Sequence, residues 1–145
     1  MKKSTYIHIL IFIFSIIDMK SSNIDYQING SKEKKVIFFG NSITQSWSDY
    51  TDFFTDNGYL NKGISGQTSD QMLARFKKDV VDEKADYVVM LAGINDLAEN
   101  NGPITLDGIF ENIKSMVKIA NDNNLSLIED CAQAHGAKYK GRSVG

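Results

Sequence analysis

The sequence predicts an α/β fold, a parallel sheet with helices on both faces. Three observations predict it. Apolar runs rich in β-branched and aromatic residues stand at 36–39 and 87–91, and 59–64 and 125–128 can form further short strands. Stretches with helical apolar spacing separate these runs. Glycines punctuate the run ends, at Gly40, Gly63 and Gly93. In a sheet of this kind, chemistry collects at the carboxyl ends of the strands.

The elements follow in chain order. Lys2 and Lys3 open a basic start, and residues 7–17 (IHILIFIFSII) run almost unbroken apolar. Such a start reads as a secretory signal peptide over residues 1–22, with residues 23–35 as a polar linker. The run is shorter than the ~20 apolar residues of a spanning helix. The expectation is a secreted or periplasmic protein with no stable membrane span after cleavage. No Ala-x-Ala marks the cleavage site, and Ser21 and Ser22 are the nearest small residues. No Cys follows the run, which excludes a lipoprotein anchor. An uncleaved anchor and a buried strand remain the alternatives. His8 lies in this segment.

Residues 36–39 (VIFF) have the length and flanks of a buried strand, and residues 42–54 turn into a helix. Residues 59–64 form a second strand, bounded by Gly58 and by Gly63 and Gly66. Met72, Leu73, Phe76, Val80 and Val81 give one apolar helical face over 69–81, with Thr68 or Ser69 as cap. Residues 87–91 (YVVML) are a third strand. Ile109, Ile113, Met116, Val117 and Ala120 repeat helical spacing over 106–121, before a fourth strand at 125–128.

Composition narrows the function classes. The 145 residues allow one modest domain. A 42% hydrophobic content, with 10% aromatic, suffices for a core. Lys+Arg number 16 against 18 Asp+Glu, so nucleic-acid binding has no electrostatic support. The single cysteine, Cys131, excludes an internal disulfide and any Cys-rich zinc site.

Three polar motifs follow three strands. Ser42, in Gly40-Asn41-Ser42, sits at a strand-to-helix turn, where a helix N-terminus favours developing negative charge. Gly66, in the run 61–68 (NKGISGQT), lets a backbone N–H approach a substrate oxygen. Asn95, in Gly93-Ile94-Asn95-Asp96, can present a side-chain N–H to that oxygen, and Asp96 can cap the loop or the following helix. Taken singly, each motif reads as an N-cap or a turn. Together they supply a hydroxyl and the donors that an oxyanion hole requires.

The segments 36–47 (VIFFGNSITQSW), 61–76 (NKGISGQTSDQMLARF) and 88–99 (VVMLAGINDLAE) resemble, in order and spacing, the first three blocks of the SGNH/GDSL hydrolase superfamily. The likeness is greatest to its small acylhydrolase, platelet-activating-factor-acetylhydrolase-like branch, and runs over about 36–128. It implies a flavodoxin-like three-layer α/β/α sandwich. It implies Ser42 as nucleophile, with its own N–H, the Gly66 N–H and Asn95 holding the oxyanion. It implies a small acyl or acetyl ester as substrate, and no metal or cofactor. Asn41 stands where the family pattern has Asp.

One block is missing. The superfamily ends on Asp-x-x-His after a fifth strand, which supplies the base that activates the serine. No Asp-x-x-His occurs in this chain; Asp130 and His135 are spaced by five. The segment 127–145 (LIEDCAQAHGAKYKGRSVG) instead resembles part of the pyridoxal-phosphate-dependent DegT/DnrJ/EryC1/StrS sugar aminotransferases. In that family the residue matching Asp130 pairs with the cofactor's pyridinium nitrogen, and the residue matching Gln133 packs near its ring. The lysine that holds the cofactor has no counterpart in the chain, so no cofactor is expected here. Cys131 reads as a small buried residue or a free thiol, and Lys138, Lys140 and Arg142 as a solvated end.

The expectation is therefore a hydrolase domain over 36–128, incomplete at its C-terminal part, with an aminotransferase-like tail over 129–145. It would be a serine ester hydrolase crippled by the missing base. The rival readings are a non-catalytic module that keeps an ester pocket, and an aminotransferase chimera.

Overall fold

A computed structural model describes residues 34–132, 136, 138–139 and 141–143. The N-terminal segment that reads as a signal peptide lies outside them, as do Gln133, His135 and Lys140.

Strand β1 (Val36–Gly40) leads into helix α1 (Ser42–Tyr50) and a short helix α2 (Phe53–Asp56). Strand β2 (Leu60–Gly63) precedes helix α3 (Ser69–Phe76), which continues into a wider π-helical turn, Lys77–Val81. Strand β3 (Tyr87–Met90) is followed by a one-turn helix α4 (Ile94–Leu97), then by α5 (Leu106–Asp122) and β4 (Ser126–Glu129). A two-residue hairpin, β5 (Lys138–Tyr139) with β6 (Arg142–Ser143), comes last.

The four main strands are parallel and ordered β2-β1-β3-β4. Chain order reverses between β1 and β3. That is the topological switch point at which an open α/β sheet leaves a crevice. The α/β fold expected from the sequence is the fold observed.

The two sheet faces differ in what covers them. Ile37 and Phe39 of β1 and Val88 and Met90 of β3 are buried against α3 and α5. Met72 and Phe76 of α3, Val80 of the π-helical turn, and Ile109, Ile113 and Met116 of α5 fill that side. This alternation arises because successive side chains of a strand point to opposite faces. The opposite face carries Phe38, its neighbour Val89, and Ile128 across from Val89. Phe38 meets Trp47, Phe53 and Phe54 edge-on at 5.6, 5.9 and 5.1 Å between ring centroids.

Several expected boundaries shift. The helix expected over 42–54 is two helices. Thr51 is fully extended, with φ −159° and ψ 147°, and its hydroxyl accepts the Phe53 N–H at 3.1 Å. A local side-chain-to-backbone bond thus competes with helix continuation. The loop after β3 contains α4, and the solvated end forms a hairpin, with Lys138 and Arg142 exposed and Gly141 at φ +79°.

Candidate active site

The strand ends are level. Gly40 pairs with Gly63, and Phe39 with Met90. The loops that leave these strands therefore start side by side. Beyond the ladder, Ile64 N–H donates to Gly40 O and Leu91 N–H to Phe39 O, each at 3.1 Å.

Ser42 is the first residue of α1. Its cap is Asn41, whose Oδ1 accepts the Ile43 N–H at 3.0 Å. The Ser42 hydroxyl is half-buried and has no hydrogen-bond partner among the described residues. Its own N–H is one of the first-turn amides that a helix leaves unpaired. Asn41 is fully buried, and its Nδ2 lacks an acceptor among the described residues. Helix α1 lies so close to β2 that a Cβ on Gly63 would stand 2.2 Å from Gln45 N. Gln45 Oε1 then accepts the Ser65 N–H at 2.5 Å, tying α1 to the loop that carries Gly66.

Gly66 sits at φ +77° in the turn closed by Gln67 N–H to Ile64 O. It is exposed, and a Cβ there would meet nothing within 4 Å. The backbone conformation, not space, demands glycine. Asn95 is in α4, and its Nδ2 donates to Gln67 O at 2.9 Å. One bond thus joins the second and third strand-end loops. An amide nitrogen carries two N–H groups. Among the described residues nothing takes the second.

Behind this pair, Asp96 is buried at 2% exposure. Both its oxygens accept the Ser69 N–H, at 3.0 and 2.9 Å, and one also accepts the Ser69 hydroxyl. Asn112 Nδ2 donates to Ser69 Oγ at 3.0 Å. Asp96 therefore caps α3, a helix earlier in the chain, rather than its own loop or the helix after it. A carboxylate at a helix N-terminus is favourable. Thr68 is the N-cap residue of α3, in a capping box with Gln71. Beside it opens a cleft of about 170 Å³ lined by Thr68, Asp70, Asp96, Asn101, Pro103 and Ile104. The Thr68 hydroxyl holds Asp70 below the usual carboxylate range.

At the end of β4, Asp130 continues the ladder through its N–H to Met90 O, 3.1 Å. Its Oδ1 accepts the Ala132 N–H at 3.1 Å. Burial, with Asp130 beside it, raises Glu129 above the usual glutamate range. Burial, then Glu129, pushes the Cys131 thiol up, which disfavours the thiolate a nucleophile needs. Among the described residues no cluster of three His, Cys, Asp or Glu side chains could hold a metal. Among them, too, no helix is long and apolar enough to cross a membrane.

The family description "GDSL-like Lipase/Acylhydrolase" matches residues 38–139, a stretch that contains all three strand-end motifs. The chain belongs to the GDSL-like lipase/acylhydrolase family. A solved structural neighbour is a putative acylhydrolase from Bacteroides fragilis. It is 46% identical and superposes with a TM-score of 0.66, over 69% of this chain and 49% of its own. An acetylxylan esterase from Geobacillus stearothermophilus is 47% identical over 38 residues, 26% of this chain and 17% of its own. An uncharacterized lipoprotein from Bacillus subtilis is 34% identical over 85 residues, 48% of this chain and 35% of its own. The chain thus spans half or less of the length of each relative. A short match of another kind is to an L-glutamine:2-deoxy-scyllo-inosose aminotransferase from Streptoalloteichus tenebrarius. It is 63% identical over 27 residues, 19% of this chain and 6% of the aminotransferase.

Sequence reasoning found the three strand-end motifs of this GDSL-like domain. It missed what binds them together: Gln67, Ser69 with Asp96, and Arg75. The polar Gln67 directly after Gly66 was the available signal; for Arg75 there was none.

Proposed function

We infer that the chain carries the nucleophile and oxyanion donors of a serine ester hydrolase acting on small acyl or acetyl esters. In this reading Ser42 Oγ attacks the ester carbonyl. The oxyanion is held by the Ser42 N–H, the Gly66 N–H and the second Nδ2–H of Asn95. The observation that carries the reading is the 2.9 Å bond from Asn95 to Gln67 O, which sets an amide donor one residue from Gly66. The acetylxylan esterase among the relatives supports a small acyl group.

No Asp-x-x-His is present in the 145 residues, so general-base help for Ser42 is absent from this stretch and turnover is slow. Residues 129–145 are read as an aminotransferase-like tail joined to the hydrolase domain within β4. Residues 1–22 are read as a signal for export, resting on the basic start and the apolar run.

The test is acetylation of Ser42 by p-nitrophenyl acetate, followed by mass spectrometry in a single turnover. A slow acetyl adduct at Ser42, lost in Ser42→Ala, supports the reading. Equal reaction of Ser42→Ala overturns it. Sequencing the gene across codons 121–145 and beyond tests the join. A fifth strand and Asp-x-x-His read in place of the tail would remove it.

A further inference from the structure

Arg75 touches none of the three proposed site residues, yet it reaches the backbone or side chain beside each. It projects from α3 at 12% side-chain exposure. Nη2 donates to Gly40 O at 3.0 Å, two residues before Ser42. Nη1 donates to Lys62 O, in β2, and to Asp79 Oδ2, both at 2.9 Å. Nε donates to Gln67 Oε1 at 2.5 Å. The Gln67 backbone carbonyl is the group that holds Asn95. The guanidinium lies over the Phe39 ring, 4.1 Å from its centroid.

Four of the five guanidinium N–H groups are thus used, and three of them lead toward the site. Only a planar fork can serve these acceptors at once. A lysine ammonium is a point charge and cannot span them. Burial lowers the affinity of Arg75 for its proton, and Asp79 opposes that, so the guanidinium stays charged.

We propose that Arg75 is the positioning residue of this site: through Gly40 and Gln67 it sets the nucleophile's turn and the Gly66–Asn95 oxyanion loops in one register. This rests on the ester-hydrolase reading above, and the experiment separates the two. The full chain is reacted with a fluorophosphonate probe, and Ser42 modification is timed in wild type, Arg75→Lys, Arg75→Met and Val80→Ala. Val80 is buried in the π-helical turn beyond α3 and serves as a destabilised control. In parallel, hydrogen exchange of the Asn95 side-chain amide is followed by NMR.

Arg75→Lys and Arg75→Met are expected to slow Ser42 modification about 10²-fold, since a misplacement of about 1 Å costs that much. Both should speed Asn95 amide exchange, while amides of Ile113 and Met116 stay protected. Val80→Ala should lower the melting temperature yet change modification by less than about twofold, because Val80 takes part in none of the bonds that lead from Arg75 to Gly40, Lys62 and Gln67. Equal slowing in Val80→Ala, or full-speed modification and unchanged Asn95 exchange in Arg75→Lys, overturns the proposal. Absence of Ser42-dependent modification in wild type sinks the hydrolase reading instead. In that case the Asn95 exchange alone decides whether Arg75 positions the loops.

Discussion

Asp96 of α4 is joined to Ser69, at the start of α3, through both the backbone N–H and the hydroxyl of the serine. The carboxylate takes the Ser69 N–H with both oxygens and its hydroxyl with one, all shielded from water. Asp96→Ala leaves two buried donors without their acceptor and uncaps α3. It is expected to cost about 3 kcal/mol, read from the urea midpoint at pH 7. Asp96→Asn keeps one acceptor oxygen and should cost less. Equal stability of Asp96→Ala and wild type would show that the joint contributes nothing.

Two glycines make a matched pair. Gly66→Ala meets open space and suffers only from its positive φ, so about 1 kcal/mol is lost. Gly63→Ala drives a methyl into the backbone of α1 at Gln45, and should cost about 3 kcal/mol or prevent folding. Thermal unfolding by circular dichroism ranks them. The reverse order would mean that α1 does not sit against β2 as described.

Glu83 bridges Lys35 and Lys62, at 2.7 and 2.9 Å. Those bonds pull its carboxyl down from 4.5 to about 2. A depressed acid stabilises the fold above its unfolded pKa. That contribution fades as pH falls from about 4.5 through about 2. Glu83→Gln should therefore flatten the fall in stability over that window. An unchanged pH profile would show that the bridge is solvated away.

Glu129 runs the other way. Its raised carboxyl penalises the fold at neutral pH, and the penalty lifts as pH falls through the raised value toward the ordinary one. Glu129→Gln should raise the melting temperature at pH 7 and leave it unchanged at pH 4. A gain of equal size at both values would point to packing rather than charge.

The fold was legible because its signals are local. The apolar runs at 36–39 and 87–91 and the helical spacing through Ile109, Ile113 and Met116 each lie within one element. The strand-end motifs were legible as a set for the same reason. Arg75 was not. Read along α3 it is one charged residue in a helix, and its partners Gly40 and Lys62 lie 35 and 13 positions away. Asp96 pointed locally to its own loop, but its bond runs back 27 positions to Ser69. The break at Thr51 turns on a single hydroxyl choosing its neighbour's N–H over the helix.

The ring of Trp47 lies flat against Phe53, 5.3 Å between centroids and 4° between planes. It is the chain's single tryptophan. All indole emission therefore originates at the junction of α1 with α2, a few residues from Ser42. Indole fluorescence wavelength and its quenching by acrylamide become site-selective reporters without any attached dye. Events that tilt α1 acquire an intrinsic optical readout, while the α3–α5 side of the sheet stays dark to it.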